Sequence, residues 1–546
     1  MKFYGKGVGG GIAIGKISFL ETEKASVRRY RAQDAAAESA RFCRALEEAE
    51  KELLSLCEKA KREAGQESAA ILEIHAMMVR DDDFFEYARE LIERERVNAE
   101  YAVWKAGEHF AATFAEMEDK YMRERSADVR DVSRRIISHL SGKSNFSGVG
   151  GENVIIFAQD IPPSFMLSLD KSRVLGIVTA RGTENSHTAI LACSMNIPAV
   201  VGAGELKVSR AKNGMTAALD AAEGEVYLEP DEQTVSALRE KQREYEANEA
   251  RLLSLRGKEN VTLDGRKIDI FANIDGEGSI RDALECDAGG IGLFRSEFLY
   301  LEKNKLPSEE EQFEEYRRVL EGMTGRKVVI RTFDIGADKN APCFELEKEE
   351  NPALGVRGIR LGLLRRDAMK TQLRALYRAS AYGKLAVMFP MISTAFEVED
   401  SIALCEEVKR ELAQNGVPYD ENMEIGVKIE TPAAAIMSEE LARHVDFFSI
   451  GTNDLTLYTL ACDRQNPRLL RYFERETHYE AVMRLVDYAA QSAHKHGAWI
   501  GVCGSLAANT DFTEVFLHMG VDELSVPPAA VLKIREKVRS IRVGGE

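Results

Sequence analysis

Two groups of residues in this 546-residue chain have types and spacing suited to chemistry. The first lies in the stretch 183–203, where His187 follows Asn185 and Ser186 and opens the largely apolar run 188–195. Asn and Ser are natural helix N-caps, so the pattern predicts a short helix that begins at the histidine. Unpaired backbone N–H groups and the positive end of the helix dipole then lie beside the imidazole, a setting that stabilises a phosphoryl group carried on it. One histidine at a helix start, taken alone, reads as a simple cap. The second group closes a series of apolar runs in the C-terminal half: Arg295, Arg331, Glu430, Asn453, Asp454 and Cys503. Two guanidiniums can clamp the carboxylate and phosphate of an acidic substrate. Glu430 and Asp454 offer hard oxygen ligands to magnesium, which would bridge phosphoryl oxygens. Cys503 offers a protonated thiol. Each of these singly could make a structural ion pair or fill a core, but together at run ends they point to phosphoryl chemistry.

The elements that position these residues follow from periodicity. Eight apolar runs, 268–274, 291–294, 328–332, 385–391, 425–429, 447–450, 499–502 and 523–526, are separated, apart from the last pair, by enough chain for a helix. Eight such units predict a (β/α)8 TIM barrel over 257–546, with catalytic groups at the C-terminal strand ends. Upstream, 231–256 reads as a charged linker helix. Residues 31–145 turn to Ala, Glu, Arg and Leu at helical spacing, predicting helices over about 33–64, 67–95, 97–120 and 126–140. They interrupt two strand-rich segments, 1–30 and 146–230, which together predict a small α/β domain with an inserted helical subdomain. The fold class is therefore multidomain α/β. Near the start, Gly5–Gly10 matches GxGxxG and residues 10–16 approach a P-loop. No strand of useful length precedes them and Ile17 stands where a P-loop needs a hydroxyl, so a glycine-rich turn before a strand at 12–20 is expected.

Composition narrows the partners. A formal net charge of −17 disfavours nucleic acid and anionic membrane surfaces and suits a basic protein partner. No apolar run approaches the ~20 residues that span a bilayer, and residues 1–5 carry no apolar signal region. Eight scattered cysteines without a CxxC pair point to a reducing compartment, the cytoplasm being the simplest.

Longer motifs carry a resemblance. Ser186-His187-Thr188-Ala189-Ile190 with Ile197-Pro198-Ala199-Val200-Val201-Gly202 is similar to the phosphohistidine segment of phosphoenolpyruvate-utilising enzymes. The segments Gly290–Leu299, Arg331-Thr332-Phe333-Asp334-Ile335-Gly336, Glu430-Thr431-Pro432-Ala433, Phe448–Leu455, Asp463-Arg464 and Val502-Cys503-Gly504 resemble the barrel motifs of the Enzyme I family of the bacterial sugar phosphotransferase system. The resemblance runs nearly end to end. It implies that His187, on a swivelling domain, takes the phosphoryl group of phosphoenolpyruvate and passes it to the histidine phosphocarrier protein HPr, releasing pyruvate. It further implies that Arg295, Arg331, Asn453, Asp454 and Arg464 bind substrate, that Glu430 and Asp454 hold magnesium, and that Cys503 protonates the enolate. HPr docking on the helical insertion, through segments that include 69–75 and 124–131, and a homodimer through the barrel are implied in the same way.

Departures cluster near the histidine. Thr183-Glu184-Asn185 stands where the family usually has Gly-Arg-Thr, Cys193 where it has Arg, and Pro162 where a threonine is expected. In the barrel, Lys428, Leu457 and Ser505 replace Met, Gln and Glu, and the chain stops soon after the eighth barrel helix. Two alternatives therefore stay open: a divergent phosphotransferase serving a regulatory acceptor, or a non-catalytic regulator that binds HPr. The related synthase and dikinase are disfavoured, because only about 185 residues precede His187, too few for an ATP-binding domain.

Overall fold

The computed structural model describes residues 1–20, 27–63, 66–117, 120–142, 153–183, 186–463, 466–473 and 476–544. They fall into two units, Met1–Glu249 and Ala250–Glu546. The first contains eight strands: β1 (Lys2–Tyr4), β2 (Lys6–Val8), β3 (Ile12–Leu20), β4 (Val154–Ala158), β5 (Val174–Thr179), β6 (Ala199–Val201), β7 (Thr216–Asp220) and β8 (Glu225–Leu228). They form one sheet in the order β1-β8-β7-β3-β4-β5-β6-β2. The central ladders β3–β4, β4–β5 and β5–β6 are parallel, and the flanking ones antiparallel. Strand β4 is buried on both faces, as its uninterrupted Val-Ile-Ile-Phe-Ala sequence requires. Its Ile155 and Phe157 pack with Val178 and Leu219. Ile156 and Ala158 turn to the opposite face, into a core shared with helix residues such as Phe42 and Leu53.

Between β3 and β4 runs the helical insertion: α1 (Ala35–Glu63), α2 (Gln66–Val79), α3 (Asp82–Glu95), α4 (Ala99–Ala115) and α5 (Lys120–Ser141). The sequence pattern predicts one helix over 67–95, and the structure has two. The break falls at Asp81, whose carboxylate accepts the backbone N–H of Phe84 at 2.9 Å and so caps α3. Later come α6 (Pro163–Ser168), α7 (His187–Ser194), α8 (Glu205–Val208) and α9 (Glu232–Leu253), the last spanning the boundary between the units.

The second unit is a closed parallel barrel of β9 (Asp269–Ile274), β10 (Ile291–Arg295), β11 (Val328–Arg331), β12 (Leu385–Phe389), β13 (Glu424–Ile429), β14 (Phe447–Gly451), β15 (Trp499–Cys503) and β16 (Glu523–Val526). Closure comes from β16 pairing with β9, Glu523 opposite Asp269 through Val526 opposite Ala272. All eight expected strands are present, within two residues of the predicted limits. Two separate layers of apolar side chains result from the alternation along each strand. Ile270, Ile330, Val427 and Ile500 face the surrounding helices, while Leu293, Val329, Ala386, Met388, Phe447 and Cys503 fill the barrel interior. Among the described residues no helix is long and apolar enough to cross a membrane, and no cysteine is in a disulfide.

Candidate active site

The C-terminal strand ends gather most of the residues singled out above. Arg295 ends β10, Arg331 ends β11, Glu430 follows β13, Asn453 and Asp454 lie in the helix Thr452–Leu460 after β14, and Cys503 ends β15. Parallel pairing sets Ile429 beside Ile450 and Gly451 beside Cys503, so three of these ends are adjacent. A side chain at Gly451 would not fit: a Cβ there would lie 2.7 Å from Glu430 Oε2 and 2.8 Å from Lys428 Cε.

Charge is arranged around Asp334, a residue 3% exposed. Arg357 approaches it with two parallel donors, Nε to Oδ1 at 3.0 Å and Nη2 to Oδ2 at 3.1 Å. Arg331 Nη1 lies 3.2 Å from Oδ2 and its Nη2 lies 3.0 Å from Glu297 Oε1. Burial alone would push the Asp334 carboxyl upward, but the two guanidiniums outweigh it and hold the carboxyl well below the usual carboxylate range. Arg357 also reaches Asp454, Nη2 to Oδ1 at 3.3 Å. Glu430 is fully buried. Its Oε1 accepts the backbone N–H of Met391 at 2.7 Å, and its Oε2 lies 2.5 Å from the ammonium of Lys428. Burial disfavours charge on both partners: Glu430 more than offsets it at Lys428 and raises the ammonium above its ordinary range, whereas burial pushes the Glu430 carboxyl up against the pull of Lys428.

Cys503 is 1% exposed. Its thiol donates to the Ile450 carbonyl at 3.3 Å and accepts from Ser449 Oγ at 3.5 Å. Burial pushes it up, past the opposing pull of Lys428 and Ser449, so it is a protonated thiol at neutral pH. Asn453 Oδ1 accepts from both the backbone N–H (3.1 Å) and the hydroxyl (2.7 Å) of Ser505. Arg295 is half-exposed and ion-paired to Asp275 at 2.9 Å.

Arg331, Glu430, Asp454 and Cys503 are thus brought together. Arg464 and Glu184 lie outside the described residues. Sequence reasoning missed Arg357, gave Asp334 no role beyond its place in a motif, and treated Lys428 only as a departure. Arg357 escaped because it sits in a loop rather than at a strand end. Its available signal was the Gly355-Val356-Arg357-Gly358 pattern, in which Gly358 has φ +59°, a backbone conformation that other residues rarely adopt.

In the first unit, α7 begins at His187, as its N-cap predicts. Ser186 is the cap, accepting the Ala189 N–H at 3.4 Å. Buried Thr188 ties the helix start down, its hydroxyl donating to the Ile161 carbonyl at 2.9 Å. The imidazole-bearing residue therefore stands at the first turn, where helix N–H groups lack intrahelical acceptors. Cys193 is exposed on the same helix.

The helical insertion holds an apolar cavity of about 170 Å³ lined by Met78, Phe84, Phe110 and Val132, with Asp81 and Asp83 also lining it. The segments expected to dock a partner behave differently. His75 is fully buried, with Nε2 3.3 Å from Asp128 Oδ1 and Nδ1 3.7 Å from Asp131 Oδ2. Asp128 and Asp131 are buried as well, so these side chains are not part of a solvated charged start: with His75 they hold α2 against α5. Val129, between them, lines the cavity.

A closed parallel barrel whose strand ends collect buried arginines, carboxylates and a protonated thiol defines an α/β-barrel enzyme for small anionic substrates. Profiles of PEP-utilising enzymes match three stretches: the PEP-binding domain at 249–543, the N-terminal domain at 4–125 and the mobile domain at 150–224. The chain belongs to the phosphoenolpyruvate-protein phosphotransferase family of these enzymes. It is 41% identical to the phosphoenolpyruvate-protein phosphotransferase of Priestia megaterium, over 97% of this chain and 92% of that one. It is 39% identical to the enzyme of that name from Bacillus subtilis (strain 168), over 98% and 94%. A solved solution structure of an Enzyme I protein is 37% identical over 45% of this chain and 99% of its own length, with a TM-score of 0.38.

Proposed function

We infer that the chain transfers the phosphoryl group of phosphoenolpyruvate, by way of phospho-His187, to the phosphocarrier protein HPr, and releases pyruvate. The observation that carries the reading is the barrel end, where Arg331 and Arg357 sit among Glu430, Asp454 and buried Cys503 in a chain of this family. In this reading Arg295, Arg331, Asn453, Asp454 and Arg464 bind phosphoenolpyruvate. The guanidinium planes match its carboxylate and phosphate, and the buried ion pairs hold them in place before substrate arrives.

Two carboxylates without a third protein ligand fit magnesium, which usually takes one or two carboxylates and completes its shell with substrate phosphate and water. Among the described residues no group of three or more His, Cys, Asp or Glu is arranged to hold an ion. Apart from Lys428, Glu430 Oε2 has no partner among them. Magnesium held by Glu430 and Asp454 would add positive charge beside the phosphoryl oxygens.

An imidazole nitrogen of His187 attacks phosphorus, the bond from phosphorus to the enol oxygen breaks, and pyruvate enolate leaves. Arg331 stabilises the charge that shifts onto the enolate and phosphoryl oxygens. Cys503 gives its proton to the methylene carbon, forming pyruvate, and its thiolate regains a proton from solvent. Phospho-His187 then passes its phosphoryl group to a histidine of HPr, which docks on the helical insertion. The acid-lined apolar cavity among α2, α3, α4 and α5 supports that docking, because it offers an apolar pocket and negative charge to a basic partner. Domain limits of 1–30 with 146–230, 31–145, 231–256 and 257–546, a barrel-mediated homodimer and a cytoplasmic location belong to the same reading.

Incubation with magnesium and phosphoenolpyruvate labelled on phosphorus tests it. Acid-labile label should appear on His187 with release of pyruvate, and His187→Ala should lose the label while still binding substrate. Label that persists in this variant, or maps to His75, overturns the assignment.

A further inference from the structure

One cation at the barrel end has no part in the mechanism above. Lys428 lies on β13 two residues before Glu430, so both side chains point to the same face of the strand. It is 4% exposed. Its stem packs where Gly451 leaves the β14 backbone bare, a space that a Cβ would close. Its ammonium meets the one Glu430 oxygen that no backbone group satisfies, at 2.5 Å. The other carboxylates here are already paired without it: Glu297 with Arg331, Asp334 with Arg331 and Arg357, and Asp454 with Arg357.

We propose that Lys428 is the resident counter-ion of Glu430, held there so that a divalent cation binds tightly only together with the anionic substrate. The proposal rests on the reading of Glu430 and Asp454 as metal ligands. Three cations (Arg331, Arg357 and Lys428) face four carboxylates (Glu297, Asp334, Glu430 and Asp454). A dication arriving alone would overshoot that balance in a buried space and would have to displace the ammonium. A dication arriving with a carboxylate and a phosphate brings its own compensation, and gives the ammonium new oxygens to face. With methionine in place of the lysine, two carboxylate charges would stand uncompensated, a match for a bare dication. Lys428 is thus a positioning residue that couples the order of metal and substrate binding.

The test is Mn²⁺ binding to the full chain, read by the electron paramagnetic resonance signal of free Mn²⁺, without substrate. Lys428→Met should bind Mn²⁺ about 10–100-fold more tightly than wild type, the range seen when the groups around metal ligands are changed. Lys428→Arg should stay near the wild-type affinity. Saturating phosphoglycolate, which carries a carboxylate and a phosphate but has no enol to release, should tighten wild-type binding and close the gap to Lys428→Met. Equal Mn²⁺ affinities for wild type and Lys428→Met without phosphoglycolate would overturn the proposal and leave the metal reading intact. Should Lys428→Met fail to fold, as judged by Trp499 fluorescence, wild type alone decides: Mn²⁺ affinity indifferent to phosphoglycolate overturns the coupling. Mn²⁺ affinity unchanged in Glu430→Gln would instead refute Glu430 as a ligand, and the proposal with it.

Discussion

Replacing Asp334 with asparagine should loosen the barrel and blunt its chemistry together. The side chain is 3% exposed and receives both nitrogens of one Arg357 edge and one nitrogen of Arg331. Asparagine keeps the shape but removes the charge that two buried guanidiniums face. Breaking a buried ion pair by removing one partner costs about 3–5 kcal/mol, because the other is left uncompensated. The chain has two tryptophans, of which Trp499 lies in the barrel, stacked on Phe447 at 4.4 Å. In a Trp104→Phe background, urea unfolding followed by fluorescence reports the barrel alone, so the first unit does not blur the transition. Expected is a lower midpoint, equivalent to about 3–5 kcal/mol at neutral pH. The pH dependence has a fixed sign. The folded carboxyl titrates below its unfolded value of roughly 3.9, so its contribution is complete above that value and fades as pH falls through the folded pKa. The gap between the two proteins should therefore be flat from neutral to mildly acidic pH and narrow only below about 3.9. Pyruvate release should fall by roughly 10²-fold, as expected when catalytic guanidiniums lose their placement. A stability loss under about 0.5 kcal/mol, the size of an ordinary surface substitution, would mean that the Asp334 cluster is not the buried charge network described.

Three further outcomes follow from other parts of the molecule. Cys503→Ala should bind phosphoenolpyruvate yet release pyruvate about 10²–10⁴-fold more slowly, measured with a coupled dehydrogenase; an unchanged rate would return Cys503 to the role of a small interior residue. Asp83→Arg, beside the cavity of the helical insertion, should weaken transfer from the phosphoenzyme to HPr, most at low salt, while labelling by phosphoenolpyruvate stays normal; equal transfer rates would move docking elsewhere. A fragment ending near residue 256 should accept phosphate from phospho-HPr but not from phosphoenolpyruvate, so direct labelling of the fragment would refute the barrel as the substrate site.

Much of this architecture is legible in the chain because the barrel strands are short runs of Val, Ile, Leu and Phe, and their ends coincide with a change to charged residues. Ile425 to Ile429 followed by Glu430 is a clear case: the apolar run specifies a buried strand, and the polar residue after it can only sit at the rim. The same rule misleads where function comes from loops. Arg357 has no apolar run before it, so nothing local says that it crosses to Asp334 and Asp454. Lys428 stands inside an apolar run, where a cation is out of place, and its meaning appears only with Glu430 beside it. At 67–95 the apolar stripe continues across the true boundary, since α2 and α3 bury similar residues, and the cap at Asp81 outweighs the periodicity.

Barrel closure has a consequence for synthesis. Asn273, at the first barrel strand, donates to the carbonyl of Ser525 at the last, across 252 residues of chain. A ribosome adding about 5–20 residues per second needs roughly 10–50 s to make that stretch. Throughout that interval β9 can pair with β10 on one side only, and its other edge, Ile-Phe-Ala-Asn-Ile, stays open. Such an edge is a template for strands of other nascent chains. The first unit, by contrast, has every strand of its sheet once β8 has emerged. Chaperone demand during translation therefore falls on the second half of the chain, and mutations that slow the addition of β16 should lower the yield of intact protein before they change any catalytic constant.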